Sequence, residues 1–311
     1  MGCSEFRTMR GPDLDDLAAF AAIARHRSFR KAAAERGVSA STLSQTLRDL
    51  EARLDLRLLN RTTRSVALTE AGARLLERLS PALSEIAGAV DQLHEERGVP
   101  AGLLRINAPE PAVGLVLAPM IGPFLAAYPK VELEIISETS FVDIVAGGFD
   151  AGVRWDESLA KDMVAVPLSG PQRYVVAAAP ELIARVGMPK TPEDLLSRPC
   201  IRVRYPSGVR PPWEFERNGR MLKLEPRACF ASTSLQAMMQ AALDGAGFIL
   251  TFEAYAAEHV AAGRLVTLLD DWQPPFPGPF LYYPSRRHAP GPLRAFIDFV
   301  KAWPRAKGLS R

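Results

Sequence analysis

Gln45 and Arg48 are the two side chains in this sequence best suited to reading a nucleic acid. A carboxamide offers one donor and one acceptor side by side, matching the edge of adenine, and a guanidinium offers two parallel donors, matching guanine. With Ser41 four residues before Gln45 and Ala52 four after Arg48, all four fall on one face if the segment is helical. Ala40, Leu43, Leu47, Leu50 and Leu54 recur opposite them at steps of three and four, an apolar stripe that must be buried. The chemistry on offer is hydrogen bonding in a groove, with no bond made or broken. Catalytic constellations are missing from the sequence: His26, His94, His259 and His288 are scattered without metal-ligand spacing, and there is no phosphate loop, dinucleotide fingerprint or nucleophile elbow. The reading is therefore not an enzyme, with no metal and no cofactor.

The elements that must position this face can also be read. Ser28 is a helix cap ahead of Phe29, Ala32 and Ala33, Gly37 supplies a turn, and Ser39 caps the helix bearing Gln45. Leu14, Leu17, Ala18, Ala21 and Ala24 predict an earlier helix from Leu14 to Arg25 behind these two. After them, Leu58 to Asn60 and Ser65 to Leu68 flank the basic turn Arg61-Thr62-Thr63-Arg64, the pattern of a wing. Its arginines could follow phosphates or enter a minor groove. From Arg25 to Ser65 ten Lys and Arg stand against four Asp and Glu, whereas the whole chain carries only +3, so positive charge is concentrated where phosphate contact needs it.

Thr69 caps a predicted helix from Glu70 to about Glu95, with Leu76, Leu79, Leu83, Ile86, Val90 and Leu93 forming a heptad seam and Pro81 bending it. That seam either packs on the chain's own second domain or pairs with a second copy. Gly98 to Gly102 is a hinge by composition. Beyond it short apolar runs (103–106, 131–136, 151–154, 164–168, 174–178, 248–252 and 265–268) alternate with helical ones, which predicts a mostly parallel sheet covered on both faces. The uncharged apolar run at 111–129 could pass for a membrane span. Gly114, Pro119, Gly122 and Pro123 interrupt it, and the expectation is a buried helix of an α/β domain. The N-terminal residues fit neither an export nor a myristoylation signal, which points to the cytoplasm; Met9 is a candidate start. Hydrophobic residues at 48% and charged ones at 23% fit an ordinary globular protein.

Ser39-Ala-Ser41-Thr-Leu-Ser44-Gln45, Leu50-Glu51-Ala-Arg53-Leu54, Leu58-Leu-Asn-Arg61-Thr62-Thr63-Arg64 and Leu68-Thr69-Glu-Ala-Gly72 resemble the head of the LysR-type transcriptional regulators. Asp55 stands where that family usually has Gly, and Leu59 where it usually has Phe. Further along, Gly147-Gly-Phe149-Asp150-Ala-Gly-Val-Arg154, Asp162 to Pro167, Pro192-Glu-Asp-Leu195 and Leu293 to Asp298 are similar to the family's effector domain. The resemblance implies a multidomain chain: an α-rich winged helix-turn-helix at 9–68, a linker and dimerisation helix at 69–97, and a two-lobed α/β domain like periplasmic binding proteins at 98–311. Lobe 1 is expected at about 102–171 and 276–311, lobe 2 at about 172–275.

By the same resemblance the partners are double-stranded DNA, a small-molecule effector, a second copy through the linker helix with further assembly to a tetramer, and RNA polymerase; no membrane is implied. Ser39, Ser41, Thr42, Ser44, Gln45 and Arg48 would meet DNA, with Arg61, Thr62 and Arg64 of the wing. The effector would lie at the loop from Asn107 to Ala112, at Thr139 and Ser140, and at Ser232 and Thr233, walled by Arg154, Arg202, Arg204, Thr251 and Phe252. Each has a purely structural alternative. Ser232 to Ser234 could only cap a helix, Arg202 and Arg204 could face solvent, and Arg154 could form a lobe–lobe ion pair. Glu110, if it points inward, disfavours a simple carboxylate effector and favours a cationic or hydrogen-bonding one. Cys200 and Cys229 lie in or beside apolar strands, as small buried hydrophobes do, though a thiol-based redox-sensing regulator stays open, as does a constitutive DNA binder without effector. A stand-alone solute-binding protein would need the export signal that is missing here.

Overall fold

The computed structural model describes residues 12–61, 66–95, 99–137, 144, 147–155, 163–285 and 289–304. The head is built from α1 (Leu14–His26), α2 (Phe29–Glu35) and α3 (Ala40–Leu54), followed by a hairpin of β1 (Leu59–Arg61) and β2 (Val66–Leu68). Each start is set by a short oxygen side chain. Ser28 Oγ accepts from the Lys31 N–H at 3.4 Å and Ser39 Oγ from the Thr42 N–H at 3.0 Å, satisfying amides that have no partner in the first turn. Asp55 ends α3 in the left-handed region at φ 50, a conformation its short side chain tolerates. Leu43, Leu47 and Leu50 are buried as the stripe requires, Leu54 is half-buried and Ala40 is exposed. In α1 the buried face is wider than expected: Ala21 and Ala24 are buried and Leu17 packs against the core as the spacing requires. Phe20 and Ile23 are fully buried and Leu14 is exposed, because α1 is covered from more than one side by α2, α3 and the next helix, and one narrow stripe no longer describes it.

That next helix, α4 (Glu70–Glu95), starts where Thr69 Oγ1 accepts from the Gly72 N–H at 3.0 Å. A Cβ on Gly72 would overlap the Leu58 carbonyl oxygen, so only glycine lets α4 lie this close to the wing. Leu76 and Leu79 are buried in the head's core, with Leu83 packed against it, whereas Ile86 is exposed. The first half of the heptad seam therefore belongs to the head. α4 also approaches the C-terminal helix Gly291–Ala302.

Two five-stranded sheets follow. In lobe 1, β3 (Gly102–Ala108) lies between β4 (Val131–Ser137) and β5 (Ala151–Arg154), all parallel, and β14 (Phe280–Pro284) then β6 (Met163–Pro167) continue the sheet antiparallel. In lobe 2, β8 (Cys200–Val203) lies between β11 (Ala228–Ser232) and β12 (Phe248–Phe252), parallel, with β7 (Tyr174–Ala178) and β13 (Val266–Leu268) antiparallel beyond. The sheets are thus mixed, where the sequence pattern predicted mostly parallel pairing. The reason is connectivity: β7 and β14 each enter from the other lobe and run against the strand they join. The two crossing segments are tied by a bridge in which Gln172 and Phe276 exchange N–H···O bonds of 2.8 Å.

The apolar run Glu110–Ala127 is a helix with a π turn at Val113–Leu117 just ahead of Pro119. It is long and apolar enough to cross a membrane by composition. Ala112, Val116, Leu117, Met120 and Phe124 face the lobe 1 core, but only 28% of the run is buried, so the expected buried helix is instead one-sided. A further hairpin, β9 (Trp213–Arg217) and β10 (Arg220–Leu224), lays Trp213 and Phe215 into the lobe 2 core.

Candidate functional site

On α3 the residues Ser41, Gln45, Arg48 and Ala52 are all exposed and share the face opposite the buried leucines. Gln45 is held: its Nε2 donates to Asp49 Oδ1 at 2.7 Å, one helical turn on, a bond that does not use the amide oxygen. Arg48 Nε donates to the Ser44 carbonyl at 3.3 Å, which keeps the guanidinium along the helix surface with its two terminal nitrogens free of that bond. Ser39 Oγ sits 2.7 Å from Ser41 Oγ and 2.8 Å from Thr42 Oγ1, so the three hydroxyls form one cluster around the helix start. Asp49 escaped the sequence reading as a partner of Gln45; the i to i+4 spacing was the available signal. Arg53 and Arg36 are drawn back onto Asp16 and Asp15 of α1 and orient helices instead of projecting outward. Arg61 lies in β1, while Thr62 and Arg64 fall outside the described residues.

The second polar region lies where the strands of both lobes end. Asn107 is 0% exposed and its Oδ1 accepts from Arg154 Nη2 at 2.7 Å; Arg154, 8% exposed, also donates from Nη1 to the Val153 carbonyl at 2.6 Å. One partner of Arg154 is thus an amide in its own lobe. Beyond Arg154, Trp155 stacks on Phe252 of lobe 2 with centroids 5.2 Å apart and donates from Nε1 to Gln172 Oε1 at 2.9 Å. Tyr174 and Phe276 extend the aromatic cluster, so the two lobes meet over rings at the crossing. Thr251, adjacent to Phe252, is 3% exposed, and its hydroxyl has no hydrogen-bond partner among the described residues. A buried hydroxyl without a partner is costly, by about 1 to 3 kcal/mol, unless something supplies one.

The remaining predicted wall residues divide. Arg202 is turned away: its terminal nitrogens donate to the carbonyls of Pro226, Arg210 and Pro211 at 2.8 to 3.3 Å, which pins loops of lobe 2 and corrects its assignment to the cleft. Arg204 is exposed just past β8. Ser232 Oγ accepts from the Ser234 N–H at 3.0 Å and Ser234 Oγ from the Ala237 N–H at 3.3 Å, so these hydroxyls cap the helix Leu235–Leu243, with Thr233 exposed between them. Ala112 is fully buried in the lobe 1 core. Thr139 and Ser140 lie outside the described residues. Glu110 opens the helix facing lobe 2; partial desolvation raises its carboxyl above the usual range. Opposite it stands Tyr255, missed by the sequence reading, whose phenol is pushed up to about 12 by burial and by the charge of Glu110. A Cβ on Gly114 would lie 2.7 Å from the Tyr255 hydroxyl, so this glycine admits the tyrosine between the lobes.

Of the cysteines, Cys200 is buried as expected and its thiol is pushed up to about 12, chiefly by burial. Cys229 is exposed, because it occupies an irregularity in the β11–β8 pairing, where its Sγ lies 3.3 Å from the Cys200 carbonyl oxygen. No cluster of metal-ligating side chains occurs among the described residues.

A helix-turn-helix head carrying a wing, joined by a long helix to two α/β lobes that cross twice, defines a class of bacterial regulator. Residues 14–73 match the bacterial regulatory helix-turn-helix family of LysR type, and residues 97–305 match the LysR substrate binding domain. The chain belongs to the LysR family of DNA-binding transcriptional regulators. It is 42% identical to the HTH-type transcriptional regulator YcaN of Escherichia coli K12, over 93% of this chain and 95% of that one. Among solved structures, full-length AphB, a Vibrio cholerae virulence activator, superposes with a TM-score of 0.64 at 26% identity, covering 94% of this chain and 99% of AphB. LysG of Corynebacterium glutamicum, solved with its effector Arg bound, shares the fold at a TM-score of 0.57 and 20% identity, covering 94% of this chain and all of LysG.

Proposed function

We propose that α3 enters the major groove of operator DNA with Ser41, Gln45 and Arg48, flanked by Thr42 and Ser44, that Gln45 and Arg48 read bases, and that the wing arginines Arg61 and Arg64 add phosphate contacts. The observation that carries this reading is the exposed, small-sided face of α3 with Gln45 already oriented by Asp49. The regulator works in the cytoplasm, as a dimer or tetramer, and is not an enzyme. The uncovered apolar side of the helix at 110–127 and the exposed Ile86 of α4 support self-association. The domain limits proposed are 9–68 for the head, 69–97 for the linker and 98–311 for the effector domain, with RNA polymerase as a further partner.

The ligand of the cleft is a small molecule bound near Asn107, Arg154 and Thr251. The buried, unpartnered hydroxyl of Thr251 supports that placement, and the negative rim at Glu110 supports a ligand bearing a hydrogen-bond donor or a positive charge. Selection of binding sites from random DNA tests the head. Gln45→Ala should lose preference at one base position, worth about 1 to 3 kcal/mol, and keep the others. Uniform weakening across all sequences would overturn the assignment of Gln45. For the cleft, thermal shift against amines, amino acids and small acids should give a stabilising ligand whose effect Thr251→Val reduces; an undiminished shift would remove Thr251 from the site.

A further inference from the structure

Two arginines from separate domains come together over one glycine. Arg25 lies in the last turn of α1, in the head, and Arg105 on β3, in lobe 1. A Cβ placed on Gly148, at φ +68, would lie 3.3 Å from Arg25 Nε and 3.4 Å from Arg105 Nη1. Two cations this close repel unless a carboxylate stands with them. Glu35, at the end of α2, meets that need: it accepts from Arg25 Nη1 at 2.9 Å and contacts His26 Nε2. On the lobe side, Arg105 donates to Glu134 at 2.5 Å, to the Gly148 carbonyl at 3.0 Å and, from its backbone N–H, to Asp150 at 2.8 Å, with its guanidinium 5.3 Å from the centre of the Phe149 ring.

We infer that the corner formed by Arg105 and Gly147 to Asp150 is a docking point on lobe 1 for the α1–α2 corner of the head, with Glu35 as the shared counter-ion of Arg25 and Arg105. The position of Gly148 is part of the device, since its left-handed backbone and bare Cα leave room for both guanidinium groups. Glu35 responds to both domains. Burial raises its carboxyl, but the hydrogen bond to His26 and the charges of Arg25, His26 and Arg105 outweigh that and hold it below the usual range. Arg105 also stands two residues before Asn107, hence on the same face of β3. One strand thus carries both the docking cation and the buried amide paired with Arg154, so a displacement of β3 at the cleft is transmitted to the head. The docking itself is independent of what the cleft binds; its consequence for the aim of α3 rests on the DNA-reading assignment above.

Hydrogen exchange on the full-length protein tests the contact across the domain boundary. Glu35→Gln, a change in the head that preserves shape, should raise exchange several-fold in the lobe 1 turn at 147–150. Arg105→Gln, a change in lobe 1, should do the same for residues 25–36. Glu70→Gln removes an exposed ion pair with Arg74 within α4 and should leave both segments unchanged, as a control for charge alone. Exchange altered only in the domain that bears each substitution would overturn the docking. If both cross-domain effects occur, Glu35→Gln should also tolerate a wider range of half-site spacings while keeping base preference, which separates this inference from the assignment of Gln45.

Discussion

The reading face of α3 and the polar pair in the cleft use similar side chains under opposite conditions. Gln45 and Arg48 are exposed and hydrogen-bond within their own helix, whereas Asn107 and Arg154 are buried and hydrogen-bond to each other across strands. On α3 the packing is done by leucines on the far side, so the polar face can be changed without disturbing the core. In the cleft the polar groups are themselves part of the packing, and recognition there is inseparable from stability.

Substitutions can sharpen or break this contrast. The largest effect is expected at a site outside both faces, Gly72→Ala, where the new methyl meets the Leu58 carbonyl and forces α4 away from the wing. A loss of about 3 kcal/mol, read from denaturant unfolding of the head's transition, is the expected result. Arg154→Leu comes next, at about 2 kcal/mol, because it leaves the buried Asn107 oxygen without that donor; a neutral outcome would mean that the cleft tolerates change as α3 does. Ser234→Ala removes the cap of the helix Leu235–Leu243 and should lower stability by about 1 kcal/mol. The smallest stability change belongs to Gln45→Ala, within about 0.5 kcal/mol by thermal unfolding even as base preference changes. Should Gln45→Ala destabilise as much as Arg154→Leu, the contrast between the two regions fails.

The Cys200 thiol gives a pH test of burial. Its folded value of about 12 exceeds the ordinary 9.0, so the unfolded chain releases this proton first and stability falls as pH rises from about 9 toward 12. Cys200→Ala should flatten that fall relative to the native chain.

Legibility followed the same division. The caps Ser28, Ser39 and Thr69, the leucine stripe of α3 and its polar face were readable because each depends on residues within a turn or two of one another. The β9–β10 hairpin was equally local: Asn218-Gly219 between its strands, both at positive φ, marks a two-residue turn, and that signal went unused. Inside α1, Phe20 and Ile23 were missed because a helix buried on several sides has no single period.

The sequence by itself determined the head's elements, its concentration of positive charge, the side chains it presents and the family to which the chain belongs, because periodicity, capping and motif spacing are short-range properties. Only the tertiary structure decided that Arg154 pairs with Asn107, that Arg202 holds loops instead of facing the cleft, that Tyr255 stands over Gly114, and that Leu76 and Leu79 serve the head. Each of these joins residues far apart in the chain. Such pairings depend on how strands cross between lobes and on which surfaces exclude water, and no local pattern encodes either.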